Sequence, residues 1–531
     1  MSVSTKINFI FGVTNDCLRN IYKPYEYKNV IIPFVIAKRF NDCGYNNKSG
    51  ITFNNLTTEN IIDYLNGFND EVQDIFEKFD FFTNVNKLNK NNVLELLIEK
   101  FNKSEAYFGL DEIDTTSIGY LFENLIKEFA NKYEETGEHF TSDDIVSLLT
   151  DILLIDGCDK DSITVYDQTM GTSQMLRSFE KRAKELNKDI KVECYGQEIN
   201  KETFAIAKTD FLLSDKNVNN LYCGNTLTDD GFKDMKFDFI LSNPPFGVDW
   251  KSSKKEVIKD DRFKVGTPRT SDGQMLFILN GLSKLKDDGR MAIIHSGSVL
   301  STGDAGSGES EIRRYLIEND YLETVIQLPK DLFYNTSINT YVLIITKNKS
   351  EDRKGEIQLI DASKCFSKMR KPIGKKHVKL NDEAKELIIK CYEEERYLKH
   401  QEKNGDMIAK SKWFKNEEFG FYKITTERPK RDEEDNILYD KKGKMIPDAE
   451  LRDTETIPLT ETIEEYMTRE VLPYASDVWV DQTKTKIGYE IPFTRHFYEY
   501  VAPRPSQDIL AEIIASEERM MATLKELLGN E

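Results

Sequence analysis

Long apolar runs are missing from this sequence. The longest, Val30 to Ala37, contains Pro33 and falls far short of the ~20 residues a membrane span needs, so a membrane is excluded as a partner. Cysteine is scarce and scattered. The 7 cysteines (Cys17, Cys43, Cys158, Cys194, Cys223, Cys365 and Cys391) form no C-x-x-C pair, which argues against a disulfide framework or zinc ribbon and suits a reducing, cytoplasmic setting. Histidine is scarcer still. The 5 present (His139, His295, His377, His400 and His496) include no H-x-x-x-H or Cys/His array, so no metal site is expected. The N-terminus carries one Lys and a short apolar patch interrupted by Asn8, too weak for a secretory signal. Excess positive charge is also absent: 73 Lys and Arg stand against 92 Asp and Glu, a net charge of −19. Phosphate binding depends on Lys and Arg, so action on nucleic acid requires a local basic surface or a basic partner.

What is present is an ordinary globular composition, 39% hydrophobic and 31% charged over 531 residues, enough for roughly three or four domains. Residues 1–110 read as a helical domain, because Ile61–Phe68, Val72–Phe82 and Val93–Phe101 repeat apolar positions every three or four residues. The Asn- and Lys-rich stretch Asn84 to Asn92 reads as loop. Residues 111–400 change pattern. Short β-branched or apolar runs (Ile163–Tyr166, Val192–Tyr195, Leu221–Cys223, Phe237–Leu241, Met291–His295, Thr324–Leu328, Tyr341–Thr346) alternate with amphipathic stretches such as Gln174–Leu186, Lys201–Leu213 and Gln274–Leu285. That alternation predicts an α/β fold of parallel βαβ units in a doubly wound, Rossmann-like sheet, with ligands beyond the carboxyl ends of the strands. Residues 401–531 form a C-terminal region. It holds a charged hairpin around Lys441-Lys442-Gly443 and a terminal helical segment, Ser506 to Leu528. There Leu510, Ile513, Glu517, Met520, Leu524 and Leu527 make a heptad seam with one charged interruption. Such a seam needs a second helix, in this chain or in a partner.

The strongest chemical signal is Ser242-Asn243-Pro244-Pro245-Phe246-Gly247, directly after the strand Phe237–Leu241. An amino group on a conjugated base is a poor nucleophile, because its lone pair is delocalised into the ring. Methylating it calls for acceptors for both N–H groups, and the Asn243 side-chain oxygen and Pro244 carbonyl supply two. Phe246 offers a flat face for stacking. A plain turn is the bland alternative, since Asn-Pro-Pro is a good turn former. A second signal is Asp167-Gln168-Thr169-Met170-Gly171-Thr172-Ser173-Gln174, a strand ending at an acid, a small-residue turn and a helix start. Such a turn admits a ligand to backbone N–H groups, although one Gly is a weak motif and, taken alone, a tight strand-to-helix turn is the better reading of it. Glu198, at the end of the next strand, is placed to accept both hydroxyl protons of a ribose; a plain acid at a helix start is its alternative. Asn225, after the following strand, fits a turn residue and an adenine contact equally. Upstream, Glu138-His139-Phe140-Thr141-Ser142-Asp143 enters a helix, with Thr141 or Ser142 as its cap. Lys251, Lys254, Lys255, Lys259, Arg262 and Lys264 make a basic stretch that suits phosphates or a solvated loop.

In this order the motifs resemble those of the S-adenosylmethionine-dependent amino-methyltransferases, and among them the modification (methylation) subunits of type I restriction–modification systems. Glu138 to Asp143 resembles the family's G-[QE]-x-F-T-P segment, and Asp167 to Leu176 its D-P-x-x-G-S-G-x-L cofactor loop. Glu198 matches the ribose-binding acid, Asn225 the adenine-side position, and Asn243 to Phe246 the catalytic N-P-P-F. Asp16 to Asn20 and Tyr27 to Pro33 are similar to its helical N-terminal domain. Leu451 to Glu455 and Gly488 to Tyr498 are similar to its C-terminal region. Gln168, Ser173, Ser142 and Asn225 depart from the family's usual Pro, Gly, Pro and Asp, and Ser173 is expected to weaken cofactor binding.

The resemblance implies an adenine-N6 methyltransferase that uses S-adenosyl-L-methionine on double-stranded DNA. Asn243, Pro244, Pro245 and Phe246 would be catalytic. Glu138, His139, Phe140, Thr141, Ser142, Asp143, Asp167, Gly171, Thr172, Ser173, Gln174, Glu198 and Asn225 would hold the cofactor. It implies a separate specificity subunit, a restriction (motor and nuclease) subunit and two copies of this chain per complex. Competing readings are methylation of RNA or of a protein amide, and a catalytically silent scaffold in a defence complex.

Overall fold

The structure is a computed structural model that describes residues 3–131, 141–155, 160–334, 336–393, 400–498, 500 and 504–528. Glu138, His139 and Phe140 therefore lie outside the described residues. The chain divides into two compact units, Met1–Ile491 and Pro492–Glu531.

Within the first unit, helices from Val3–Cys17 to Thr115–Asn131 enclose an aromatic core that includes Phe34, Phe40, Tyr64, Phe76 and Phe101. Ala205 and Ile206 of the helix Lys201–Leu213 join the same core, and Lys208 of that helix pairs with Asp74 at 2.7 Å. Asn84 to Lys90, expected as loop, belong to the helix Phe81–Lys90. Asparagine disfavours helix by up to about 0.7 kcal/mol per residue. Burial of Phe81, Val85 and Leu88 along one face gains about 1.5–3 kcal/mol for each large side chain, so packing decides.

A ten-stranded sheet follows. Its strands in chain order are β1 (Ser162–Asp167), β2 (Lys191–Glu198), β3 (Leu221–Cys223), β4 (Phe237–Ser242), β5 (Leu285–Ser296), β6 (Leu322–Gln327), β7 (Thr340–Thr346) and β8 (Glu356–Asp361). A separate two-stranded hairpin, β9 (Ser367–Ile373) and β10 (Lys376–Lys379), comes next, and β11 (His400–Asn404) and β12 (Met407–Lys415) rejoin the large sheet. The spatial order is β11-β12-β8-β6-β7-β5-β4-β1-β2-β3. From β1 the chain steps outward through β2 to β3, then returns to lay β4 along the other side of β1. The carboxyl ends of β1 and β4 thus flank the switch point where doubly wound sheets bind ligands.

The sheet is mixed: the expected parallel units run from β1 to β5, with antiparallel pairs beyond them. β7 runs antiparallel to both β5 and β6, and all seven of its residues are buried. Parallel return requires a crossover, usually a helix. Leu328–Asn339 supplies no helix among the described residues, so the chain turns back beside β6. A smaller sheet joins Gly420–Glu427 to Asp453–Pro458, Trp479–Val480 and Lys486–Tyr489. Between its first two strands Tyr439 bridges Met445 across the turn at Lys441-Lys442-Gly443. The second unit contains the helix Ser506–Leu528. No helix among the described residues is long and apolar enough to cross a membrane.

Candidate active site

β1 is a buried strand that delivers Asp167 to the switch point. Taking this carboxyl out of water, with the Glu198 charge adding to the effect, pushes it up to about 7. Its Oδ1 accepts the Thr169 N–H at 3.0 Å, and its buried Oδ2 has no partner. The turn that follows needs left-handed backbone twice, at Gly171 (φ +55°) and Ser173 (φ +66°). A Cβ at Gly171 would meet no protein atom within 4 Å. Ser173 is fully buried, and its hydroxyl is unpartnered.

β2 brings Glu198 alongside. One carboxylate oxygen accepts the Gly171 N–H at 2.9 Å and the other the Asn200 N–H at 2.8 Å, so this acid fixes the turn and the start of the helix Lys201–Leu213 together. Asn225 takes the turn role, its side chain accepting the Leu227 N–H at 3.0 Å, and it also lines the cavity described below.

β4 ends at Ser242, whose hydroxyl lies 3.0 Å from that of Thr169, and this contact ties the two switch-point loops. Asn243 is buried. Its Nδ2 donates to Thr141 Oγ1 at 2.8 Å, while its Oδ1, also buried, has no hydrogen-bond partner. Leaving a buried acceptor unsatisfied costs about 1–3 kcal/mol. Phe246, half-buried, meets Phe333 edge-on with centroids 6.5 Å apart.

These elements surround a cavity of about 500 Å³, within the range of small-molecule sites. Of the sequence-predicted residues, Gly171, Glu198, Asn225, Asn243 and Pro245 line it. Thr141 reaches it only through Asn243. Ser142 holds the N-cap position of the helix Asp143–Leu153 but makes no capping bond. Its hydroxyl instead donates to Asp144 and accepts from Lys376. Asp143 and Gln174 hydrogen-bond to each other beside a second cavity of about 240 Å³. Asp167, Thr172, Ser173, Pro244 and Phe246 are not among the residues that line the first cavity.

Several residues of the site were not picked out by motif. Trp250 lines the cavity and is fixed by its indole N–H on the Arg269 carbonyl at 2.9 Å; being one of only 3 tryptophans, seven residues past Asn243, it gave a usable signal. Gln168, marked by its motif only as a departure from proline, also lines the cavity. Its amide donates to the Phe277 carbonyl at 3.0 Å and accepts from Asn280 at 2.6 Å. Asn280 in turn accepts from Arg262 at 2.7 Å. Arg262 also donates to the Thr226 and Leu227 carbonyls and pairs with Asp260. Lys264 pairs with Asp261. Within the basic stretch 251–264, Arg262 is thus committed to the cavity wall, whereas Lys251, Lys254, Lys255 and Lys259 are exposed.

The pattern of the N-6 DNA methylase family matches residues 113–433. The chain is 28% identical over 449 residues to the type I restriction enzyme MpnII methylase subunit of Mycoplasma pneumoniae, covering 75% of this chain and 80% of that protein. It is 27% identical over 349 residues to the MjaVII methylase subunit of Methanocaldococcus jannaschii, covering 63% of this chain. It spans only 57% of that relative's length. Among solved structures, the type I restriction-modification methyltransferase subunit from Streptococcus thermophilus superposes with a TM-score of 0.63 at 23% identity, over 79% of this chain and 97% of that one. A chain from a structural study of type I R-M complex assembly and conformational transition superposes with a TM-score of 0.52 at 17% identity, over 99% of this chain and 98% of that one. Both structures establish the fold.

Proposed function

The chain belongs to the N-6 DNA methylase family, and from that premise we propose that it is the modification subunit of a type I restriction–modification complex. It transfers a methyl group from S-adenosyl-L-methionine to N6 of adenine in double-stranded DNA, the activity of an adenine-specific DNA methyltransferase, EC 2.1.1.72. A separate specificity subunit chooses the sequence, and a restriction subunit and a second copy of this chain complete the cytoplasmic assembly. Residues 1–110, 111–400 and 401–531 are its helical, methyltransferase and assembly regions. The observation that carries the reading is the buried, unpartnered Oδ1 of Asn243, on a residue that lines the same cavity as Gly171 and Glu198.

The cavity residues fit the cofactor. Gly171 leaves space where any other residue would carry a Cβ, Glu198 is the acid for the ribose, and Asn225 stands on the adenine side. When bound, S-adenosylmethionine supplies an electrophilic methyl group. The protein's part is to present the nucleophile. The target adenine leaves the duplex at a cost of a few kcal/mol of unstacking and unpairing. Asn243 Oδ1 and the Pro244 carbonyl then accept its two amino hydrogens, so that the nitrogen pyramidalises, and Phe246 stacks on the ring. No strong base is needed, because methylation itself makes the amino proton acidic. Thr141 fixes the Asn243 amide so that its oxygen is the atom left for substrate.

Transfer of labelled methyl groups to DNA by the complex of this chain with its specificity subunit tests the reading. Asn243→Ala is expected to cut transfer by about 10²–10³-fold, the cost of losing a preorganised group at the reacting centre, with cofactor affinity nearly intact. Glu198→Ala is expected to weaken cofactor binding instead. An Asn243→Ala variant keeping more than half the wild-type turnover would remove the catalytic assignment.

A further inference from the structure

The chain is acidic overall, yet from Ala362 to Asn381 it holds seven Lys and Arg and no Asp or Glu. This stretch contains the hairpin β9–β10. Lys364, Lys368, Arg370, Lys371 and Lys375 are all exposed. Arg469, elsewhere on the surface, pairs with Glu461 and Glu470. These five form no ion pair among the described residues. Clustered like charges repel one another, and the hairpin supplies no acid of its own to offset that.

The hairpin is also anchored to the candidate active site. At its turn Gly374 takes φ +57°, and a Cβ there would lie 2.5 Å from the Tyr334 carbonyl, so the turn lies close against residues 331–334. Lys375 N–H donates to the Tyr334 carbonyl at 2.8 Å, and His377 N–H to the Asp331 carbonyl at 2.9 Å. Phe333, in the same segment, is the ring that meets Phe246. Lys376, unlike its neighbours, is buried. Its ammonium donates to the Leu332 carbonyl at 2.9 Å, to Ser142 Oγ at 3.0 Å and to Asp144 Oδ2 at 3.0 Å. Ser142 follows Thr141, which holds Asn243. This lysine therefore pegs the arm to the segment 141–144, whose Thr141 holds Asn243, whereas Lys364, Lys368, Arg370, Lys371 and Lys375 are exposed.

We propose that the hairpin Ser367–Lys379 is a phosphate-gripping arm. Lys368, Arg370, Lys371 and Lys375 take the DNA backbone beside the base presented to Asn243, and Lys376 sets the arm's position against that residue. The inference rests on the reading of the chain as a DNA methyltransferase and adds the surface that holds its substrate. Binding of the full-length chain to a mixed-sequence DNA duplex across a salt series tests it, using a variant with Lys368, Arg370, Lys371 and Lys375 all changed to Ser. The expected result is weaker binding and a salt dependence, log K against log salt, shallower by about 0.9 for each phosphate that the variant leaves unneutralised, with cofactor affinity and thermal midpoint unchanged. A charge-keeping variant (Lys→Arg at three sites, Arg370→Lys) is expected to restore the slope. If the Ser variant keeps the wild-type slope while the wild type methylates DNA, the arm does not hold DNA and the inference is overturned, the methyltransferase reading standing. A Ser variant that keeps the slope but no longer co-purifies with the specificity subunit makes the arm a protein-docking surface, which also overturns it. A wild-type complex that transfers no methyl group to DNA removes the reading and this inference with it.

Discussion

Ser173 occupies a backbone conformation that L-residues avoid, since the left-handed region costs a non-glycine residue roughly 1–2 kcal/mol. Its hydroxyl is buried without a partner, which adds to the cost. Glycine would relieve both, and it would give back about 0.4–1 kcal/mol through the larger entropy of its unfolded chain. Ser173→Gly is therefore expected to leave stability unchanged or to raise it by about 1 kcal/mol, read from urea denaturation, and not to weaken cofactor binding. A loss of more than about 1 kcal/mol would mean that the hydroxyl has a partner in solution, since removing a hydrogen-bonded group costs that much. The sequence alone marked Ser173 as a departure, because one residue type at one loop position is enough to expose it. The places of Asn243 and Glu198 in the fold were legible for a similar reason: Glu198 ends β2 and Asn243 directly follows β4, so local pattern fixes where each lies. Gln168 was not. It read as a missing proline, and its role depends on Asn280 and Phe277, more than a hundred residues away, which no local pattern brings together.

The turn Asp261–Phe263, the helix Gln274–Lys284 and the segment at Thr226 and Leu227 show how separate elements make one wall. Arg262 joins them. Its guanidinium, 12% exposed, spans Asp260, Asn280 and the carbonyls of Thr226 and Leu227, and both of those residues line the cavity. Removing one partner of a buried charge pair costs about 3–5 kcal/mol, because the other charge is left uncompensated. Arg262→Ala is accordingly expected to lose stability on that order and to weaken cofactor binding, measured by denaturation and calorimetry. Arg262→Lys is expected to recover only part, since an ammonium cannot reproduce the planar fork. Full stability in Arg262→Ala with a shallower salt dependence of DNA binding would instead place this residue on phosphate. Composition offered a phosphate role or a solvated loop and not a wall residue, because a run of lysines hides which cation is turned inward. The same limit applied to Asn84–Lys90, where polar composition outweighed a periodic face of three apolar residues. It applied again to β7, whose direction is set by the connection before it and not by its own residues.

Taken as a whole molecule, the chain combines strong net negative charge with one concentrated basic arm, and carries at its far end a helix that periodicity alone placed at Ser506–Leu528, where it is found. The seam reads as an assembly helix for a specificity subunit, with docking on the chain's own domains as the alternative. Ile509, Leu510, Ile513, Ile514, Met520, Met521 and Leu524 are all exposed, more apolar surface than a helix of 23 residues can leave in water and remain stable by itself, because an isolated helix gains most of its stability from packing an amphipathic face. Exposed apolar patches of this kind mark interaction sites. The proposed complex supplies a candidate in the specificity subunit, provided that subunit offers helices of its own. Deleting residues 506–531 separates the two possibilities. If the helix serves the partner, the truncated chain is expected to bind S-adenosylmethionine and to melt as the full chain does, yet to fail to co-purify with the specificity subunit and to leave DNA unmethylated. On the proposed mechanism each methyl transfer requires the target adenine beside Asn243, and without the subunit proposed to read sequence nothing delivers it there. If the truncated chain melts several degrees earlier and still assembles, the helix contributes to this chain's own core, and the assembly role is lost.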